Sequence, residues 1–309
     1  MQTRLITAIC TPLAEDESLH VAGLEAHLED QWQAGIAGLL VAGSMGQMQL
    51  LADETYRDLI DYCVRFTAGR GELMVGVGDT SFARTRDRIR LAEQFAIDAV
   101  VIVTPYLVKH TQADMIDYYR ALADLSGKPV YLYTVPGFTG VMLEADTVAA
   151  LSEHPNIHGI KCSVPWDWTR QLMDRVGPGF RIIPAQAHLI DQLAAWGIRE
   201  NLDGIFGIAP RLTVSIAEAA ERGDRRMAAE RQRQLSGLLQ LLITKYPLLA
   251  SCTALLNARG ILGNVAPRPL HPLTATQREQ LLAEPLVKQA QAGEWMVASA
   301  AKTVVAGKP

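Results

Sequence analysis

The repeating order of short apolar runs and helix-patterned stretches constrains this chain more than any single residue. Apolar runs lie at Leu5–Ile9, Gly38–Val41, Leu73–Val77, Ala99–Val103, Pro129–Tyr133, Ile157–Lys161, Arg181–Ala185 and Asp203–Ile208. Each is followed by a segment with helical spacing, from Val21–Ala34 after the first to Arg211–Arg222 after the last. The unit recurs every roughly 22–35 residues, the spacing of parallel strands joined by crossover helices. Most of the runs are apolar throughout rather than alternating, as expected when helices cover one face of a sheet and side chains fill the other. Eight such units predict a closed (β/α)8 TIM barrel rather than an open doubly wound sheet. No strand is followed by GxGxxG and no GxxxxGK[ST] is present, so the nucleotide-binding α/β folds lack support.

After Pro210 the pattern turns helical, with Arg211–Arg222, Arg225–Ile243, Pro247–Arg259 and Thr274–Gln291 as expected helices and Ala298–Pro309 as a frayed end. The expected division is therefore a barrel core over 1–210, then a barrel-closing helix and C-terminal helical extension over 211–309. With 309 residues, 49% of them hydrophobic, the chain can bury one large core. A net charge of −4, with both signs interspersed, gives no sign of a polyanion-binding surface, so no nucleic-acid partner is expected. No run reaches the length of a membrane span and no signal-like core opens the chain. The four cysteines, Cys10, Cys63, Cys162 and Cys252, form no CxxC pair, which fits a reducing compartment. These readings predict a cytoplasmic protein.

In a barrel, chemistry gathers at the C-terminal ends of the strands. Lys161 ends the sixth run. A lysine there is often solvated, but a poorly solvated one favours the neutral amine, which attacks carbonyls to form a Schiff base. Tyr133 ends the fifth run, Gly43-Ser44-Met45-Gly46 follows the second and Thr104-Pro105-Tyr106 follows the fourth. Together they make a coherent site for a 2-oxo acid. The amine would condense with the ketone, the glycine-flanked loop and Ser44 would hold the carboxylate, and the phenol would move protons. His154 and His158 straddle Pro155 and share no helix face, so no metal site is expected.

These residues carry a resemblance. Thr7-Ala-Ile-Cys-Thr-Pro12, Gly43-Ser-Met-Gly46, Thr104-Pro-Tyr106, Tyr133-Thr-Val-Pro136 with Thr139-Gly140, Gly159-Ile-Lys161 and Arg268-Pro-Leu-His-Pro-Leu273 occur in order along nearly the whole chain. The set resembles the dihydrodipicolinate synthase and N-acetylneuraminate lyase family of class I aldolases. The resemblance implies a Schiff base between Lys161 and pyruvate or another 2-oxo acid, with Tyr133 as the acid/base phenol. It implies that Ser44 and the following amide hold the carboxylate, with Ser44 also relaying protons. No metal or organic cofactor is implied, because the protonated imine is the electron sink. It further implies a homo-oligomer built as a dimer of dimers.

The departures from the family pattern are informative. Two loop threonines are Ser44 and Met45 here, the usual loop glutamate is Gln47, a second tyrosine after the fourth strand is Leu107, and an arginine that binds the partner's carboxylate is Phe138. The imine half of the site is kept and the half that chooses the partner is changed. Met45, Leu107 and Phe138 are expected at the mouth, with Trp166 and Trp168 beyond Lys161. The expected catalytic residues are Lys161, Tyr133 and Ser44, and the expected substrate-binding residues Met45, Gly46, Tyr106, Leu107, Phe138, Gln186 and Ile205. His188 is placed either to touch substrate or to cap its helix, and strand alternation points Cys162 away from the pocket. The reading is a lyase performing aldol cleavage or condensation, or dehydration of a 2-oxo-3-deoxy acid, on a 2-oxo acid and an aldehyde or sugar acid whose far end is uncharged. Two alternatives are 4-hydroxy-tetrahydrodipicolinate synthase proper and a non-catalytic 2-oxo-acid-binding protein.

Overall fold

The computed structural model describes residues 2–293. The expected frayed segment Ala298–Pro309 lies outside them. Eight parallel strands form the core: β1 (Arg4–Ala8), β2 (Gly38–Val41), β3 (Glu72–Gly76), β4 (Ala99–Val103), β5 (Val130–Thr134), β6 (Ile157–Cys162), β7 (Arg181–Pro184) and β8 (Glu200–Asp203). The hydrogen-bonded order is β7-β6-β5-β4-β3-β2-β1-β8. The chain is a (β/α)8 TIM barrel with a C-terminal helical extension. Among the described residues, no helix is long and apolar enough to cross a membrane.

Local sequence explains where helices begin and stop. Ser81 caps Phe82–Ala92, and Thr111 with Asp114 makes a reciprocal capping box before Gln112–Leu125. Gly35 ends Val21–Ala34 at φ 90°, a conformation a side chain resists. The expected last helix is two, Ala275–Ala283 and Pro285–Gln291. Proline at 285 drives the preceding Glu284 to extended backbone (ψ 130°), which breaks the helix.

The eighth strand also differs from expectation. It is Glu200–Asp203, and the apolar run from Ile205 forms a 3-10 turn over Ile205–Gly207. Polar side chains occupy this strand because they have partners. Asn201 bonds both backbone groups of Gln186 at 3.1 and 3.0 Å, joining the ends of β7 and β8, which share no ladder. Arg181 of β7 reaches Glu200 of β8 at 2.5 Å and Glu72 of β3 at 2.5 Å, and donates to the Tyr131 hydroxyl at 3.2 Å. Arg4 pairs with the same two carboxylates at 2.9 and 3.0 Å. These groups begin their strands, so they close the N-terminal end of the barrel, while Lys161 and Tyr133 lie towards the other end. Gly159 permits the close β6–β7 approach, since a Cβ there would fall 2.2 Å from the Arg181 carbonyl.

The charge plug is open to test. Arg181→Met should destabilise the fold by about 3 kcal/mol, because it leaves two partly buried carboxylates short of a partner, measured as a lower urea midpoint with an unchanged slope. Burial pushes the Glu72 carboxyl up, but Arg181 and Arg4 outweigh it and hold it below its ordinary 4.5. That contribution is present above the unfolded value and is lost as pH falls through the depressed folded one. Wild type should therefore lose stability below about pH 4.5, and Arg181→Met should lose less over the same range.

Candidate active site

Strand register builds the centre of the site. Tyr133 and Lys161 are partners across β5 and β6, so their side chains stand next to each other on one face. The Lys161 amine lies 3.9 Å from the Tyr133 ring centroid, close enough for a cation–π contact. Both are buried, at 4% and 3% exposure, which removes competing water. The Tyr133 hydroxyl is 3.1 Å from the Ser44 hydroxyl, and Ser163 acts on the same phenol. Burial raises the Tyr133 phenol, yet the Lys161 charge and the hydrogen bonds from Lys161, Ser44 and Ser163 outweigh it and hold the phenol below its ordinary 10.0. A tyrosine held that way gives and takes protons more readily near neutral pH.

Ser44 is delivered by a constrained loop. Ala42 and Gln47, at φ 51° and 55°, hold left-handed backbone on either side of it. The Gln47 amide donates to the Ser44 carbonyl at 2.5 Å, and Thr11 donates to the Gly46 carbonyl at 2.8 Å. Gly76 lets the loop fold onto β3, because a Cβ there would meet the Ala42 carbonyl at 2.1 Å.

Above this centre lies a cavity of about 630 Å³, bounded by Ser44, Met45, Tyr106, Tyr133, Phe138 and the first turn of the helix Leu248–Ala258, among others. Lys161 is not part of its wall and meets it through Tyr133. The structure thus brings together Ser44, Met45, Tyr106, Tyr133 and Phe138 of the expected residues. Lys161 joins this group through its contact with Tyr133, and the other expected residues, Gly46, Leu107, Gln186 and Ile205, are not on the wall. Leu107, at φ 78°, points to solvent with 88% exposure and lies outside the wall. Gly46 is buried beneath the loop. Gln186 is tied to the Val164 carbonyl at 2.6 Å and to Asn201, and Ile205 is buried in the turn after β8. Trp166 packs against Trp196, and Trp168 against the core, so neither borders the cavity. His188 does not cap the helix Ile190–Ala195, whose N-cap is Leu189. Cys162 turns towards Thr169 of the following helix, as alternation predicts.

Several neighbours carried no sequence signal. Tyr106 donates to Asp79 at 3.5 Å, and Arg84 and Arg88 fix that carboxylate at 2.9 and 3.2 Å. Burial raises the Asp203 carboxyl despite backbone N–H bonds and the Lys161 charge, so a second ionisable group feels the amine. Leu248, Leu249, Leu270 and His271 border the cavity from the C-terminal helical region. Leu270 and His271 belong to the Arg268–Leu273 motif, which could have flagged them; the helix at 248 had no such mark.

Spectrophotometric titration should find one tyrosinate forming below the ordinary range, a transition lost in Tyr133→Phe. Ser44→Ala should move it upward, since a hydroxyl that bonds the phenolate is gone. An unchanged transition in Tyr133→Phe would assign the low value to another tyrosine.

The chain matches the Dihydrodipicolinate synthetase family over residues 1–290. It is 31% identical over 283 residues to a 4-hydroxy-tetrahydrodipicolinate synthase of Exiguobacterium sp., covering 91% of this chain and 96% of that one. It is 32% identical over 305 residues to the 4-hydroxy-tetrahydrodipicolinate synthase of Xanthomonas axonopodis pv. citri, covering 96% and 98%. Its fold superposes with TM-score 0.84 on the chloride-inhibited dihydrodipicolinate synthase of Acinetobacter baumannii complexed with pyruvate, at 27% identity over 94% of this chain and 98% of that one. With the barrel, the register-paired lysine and tyrosine and these matches in agreement, the chain belongs to the dihydrodipicolinate synthetase family.

Proposed function

We propose that the protein is a Schiff-base-forming lyase acting on pyruvate or another 2-oxo acid. The observation that carries this reading is the Tyr133 phenol, which touches both the Lys161 amine and the Ser44 hydroxyl. The amine attacks the ketone, and the imine nitrogen, once protonated, draws electrons from the adjoining carbon. Tyr133 passes protons between the reacting atoms, and Ser44 couples it to the cavity. Ser44 and the amides of its loop hold the carboxylate. The imine itself supplies the electron sink, so the reading needs no metal or organic cofactor. The same early steps serve aldol cleavage, aldol condensation and dehydration of a 2-oxo-3-deoxy acid, with an aldehyde or sugar acid as the partner.

The relatives' names favour a second reading, 4-hydroxy-tetrahydrodipicolinate synthase itself. Against it, among the described residues no Lys, Arg, Asp or Glu borders the cavity, and Phe138 stands at its rim. A dicarboxylate-like partner would find no charge-assisted anchor there. Assaying formation of 4-hydroxy-tetrahydrodipicolinate separates the two. We further propose a cytoplasmic homo-oligomer, a dimer of dimers, with the barrel core over 1–210 and the helical extension over 211–309.

Pyruvate with sodium borohydride should leave a reduced adduct on Lys161, located by peptide mass spectrometry, and Lys161→Met should abolish it. Tyr133→Phe should lower turnover by about 10²–10⁴-fold. A folded wild type that binds pyruvate without adduct or exchange of its methyl protons would instead be a non-catalytic 2-oxo-acid-binding protein.

A further inference from the structure

The cavity is far larger than its reacting end requires. Its volume of about 630 Å³ lies in the range that encloses drug-sized molecules, roughly 300–1,000 Å³. Three-carbon pyruvate at the Ser44–Tyr133 end leaves most of that space empty. The remaining wall is largely apolar, with Met48, Val135, Phe138, Leu248 and Leu249 facing Met45 of the serine loop. Phe138 is 73% exposed although it borders the cavity, so a large apolar surface there stands ready to be covered.

The polar groups on the wall decide what kind of molecule covers it. The Gln47 amide nitrogen is engaged by the Ser44 carbonyl, and its oxygen lies 3.5 Å from the Gln49 amide. The Thr139 hydroxyl is engaged by Thr104 and the Val135 and Val141 carbonyls. The Tyr106 hydroxyl donates to Asp79. The remaining polar side chains away from the reacting end, Gln49 and His271, are exposed at the rim. A polyhydroxylated chain entering this space would leave hydroxyls without partners, and a charged one would lose its water with no counter-ion among the described residues. An apolar group loses neither and gains by leaving water.

We infer that the partner substrate is an apolar aldehyde, the size of an aromatic ring or medium alkyl chain, and not a sugar or a dicarboxylate semialdehyde. This rests on the Lys161 imine reading. In the condensation direction, the enamine formed from pyruvate uses its C3 to make one C–C bond to the aldehyde carbon, and the aldehyde oxygen takes a proton to become a hydroxyl. Water then hydrolyses the imine, returning the water released when it formed. Pyruvate and the aldehyde thus become a 4-hydroxy-2-oxo acid bearing the apolar group, and cleavage is the reverse. The apolar tail lies against Phe138 and the first turn of Leu248–Ala258.

The test uses the full chain with pyruvate and four aldehydes: benzaldehyde, hexanal, glyceraldehyde and succinate semialdehyde. The 4-hydroxy-2-oxo acid products are quantified by mass spectrometry, beside borohydride trapping of the pyruvate adduct. Benzaldehyde or hexanal should exceed the other two by about tenfold or more in kcat/KM, the scale on which an apolar pocket rewards added apolar groups. Phe138→Arg should narrow that ratio by raising the succinate semialdehyde value, while the adduct at Lys161 persists. An adduct with preference for glyceraldehyde or succinate semialdehyde, or with no aldehyde turned over, overturns this inference and leaves the imine reading standing. Absence of the adduct overturns the imine reading, and this inference with it.

Discussion

A buried amine lying against a phenol ring is the contact on which the site depends. Lys161 and Tyr133 meet because β5 and β6 pair in one particular register. A slip of one residue would turn either side chain to the other face of the sheet. The contact sets an amine against a phenol in a place with little water, where each influences the other more strongly than it would in solution. The phenol is lowered by its neighbours while burial works against them.

The two ends of the barrel solve different problems. At the N-terminal end, Arg4 and Arg181 are matched by Glu72 and Glu200, with the Tyr131 hydroxyl completing the network. Partnered charges there secure the closure of the ring, as Asn201 does with the backbone of Gln186. At the C-terminal end, loops carry strained backbone and place hydroxyls beside the amine. The rigid end fixes strand register, and register in turn fixes the geometry of the reactive end.

The reactive centre and the cavity above it also differ in character. The centre is a small polar cluster of Ser44, Tyr133, Lys161 and Ser163, all drawn from strand ends and the loops next to them. The cavity is walled by apolar side chains from the serine loop, from the turn after β5 and from the C-terminal helices. The wall is assembled from distant segments, so it can change without disturbing the cluster. That separation lets a family keep its chemistry and vary its partner.

The strand-and-helix alternation and the two strand-end residues Lys161 and Tyr133 were legible in the sequence, because both follow from local pattern. Buried strands announce themselves by apolar runs, and the side chains that end those runs stand at the face of a barrel where chemistry gathers. The eighth strand was misplaced for the same reason. Its polar residues Glu200 and Asn201 are partnered by Arg4, Arg181 and Gln186, while the apolar run after it folds into a turn. Leu107, Gln186 and Ile205 follow strands as Tyr106 does, yet backbone geometry or a local hydrogen bond turns them elsewhere. The sequence by itself determined the barrel, through periodicity within a few residues, and which side chains end its strands, while the roles expected of Lys161, Tyr133 and Ser44 rest on a resemblance that runs along nearly the whole chain. Only the tertiary structure decided the cavity, because its wall joins Met45, Phe138, Leu248 and Leu270, residues that meet solely when the C-terminal helices pack over the barrel mouth.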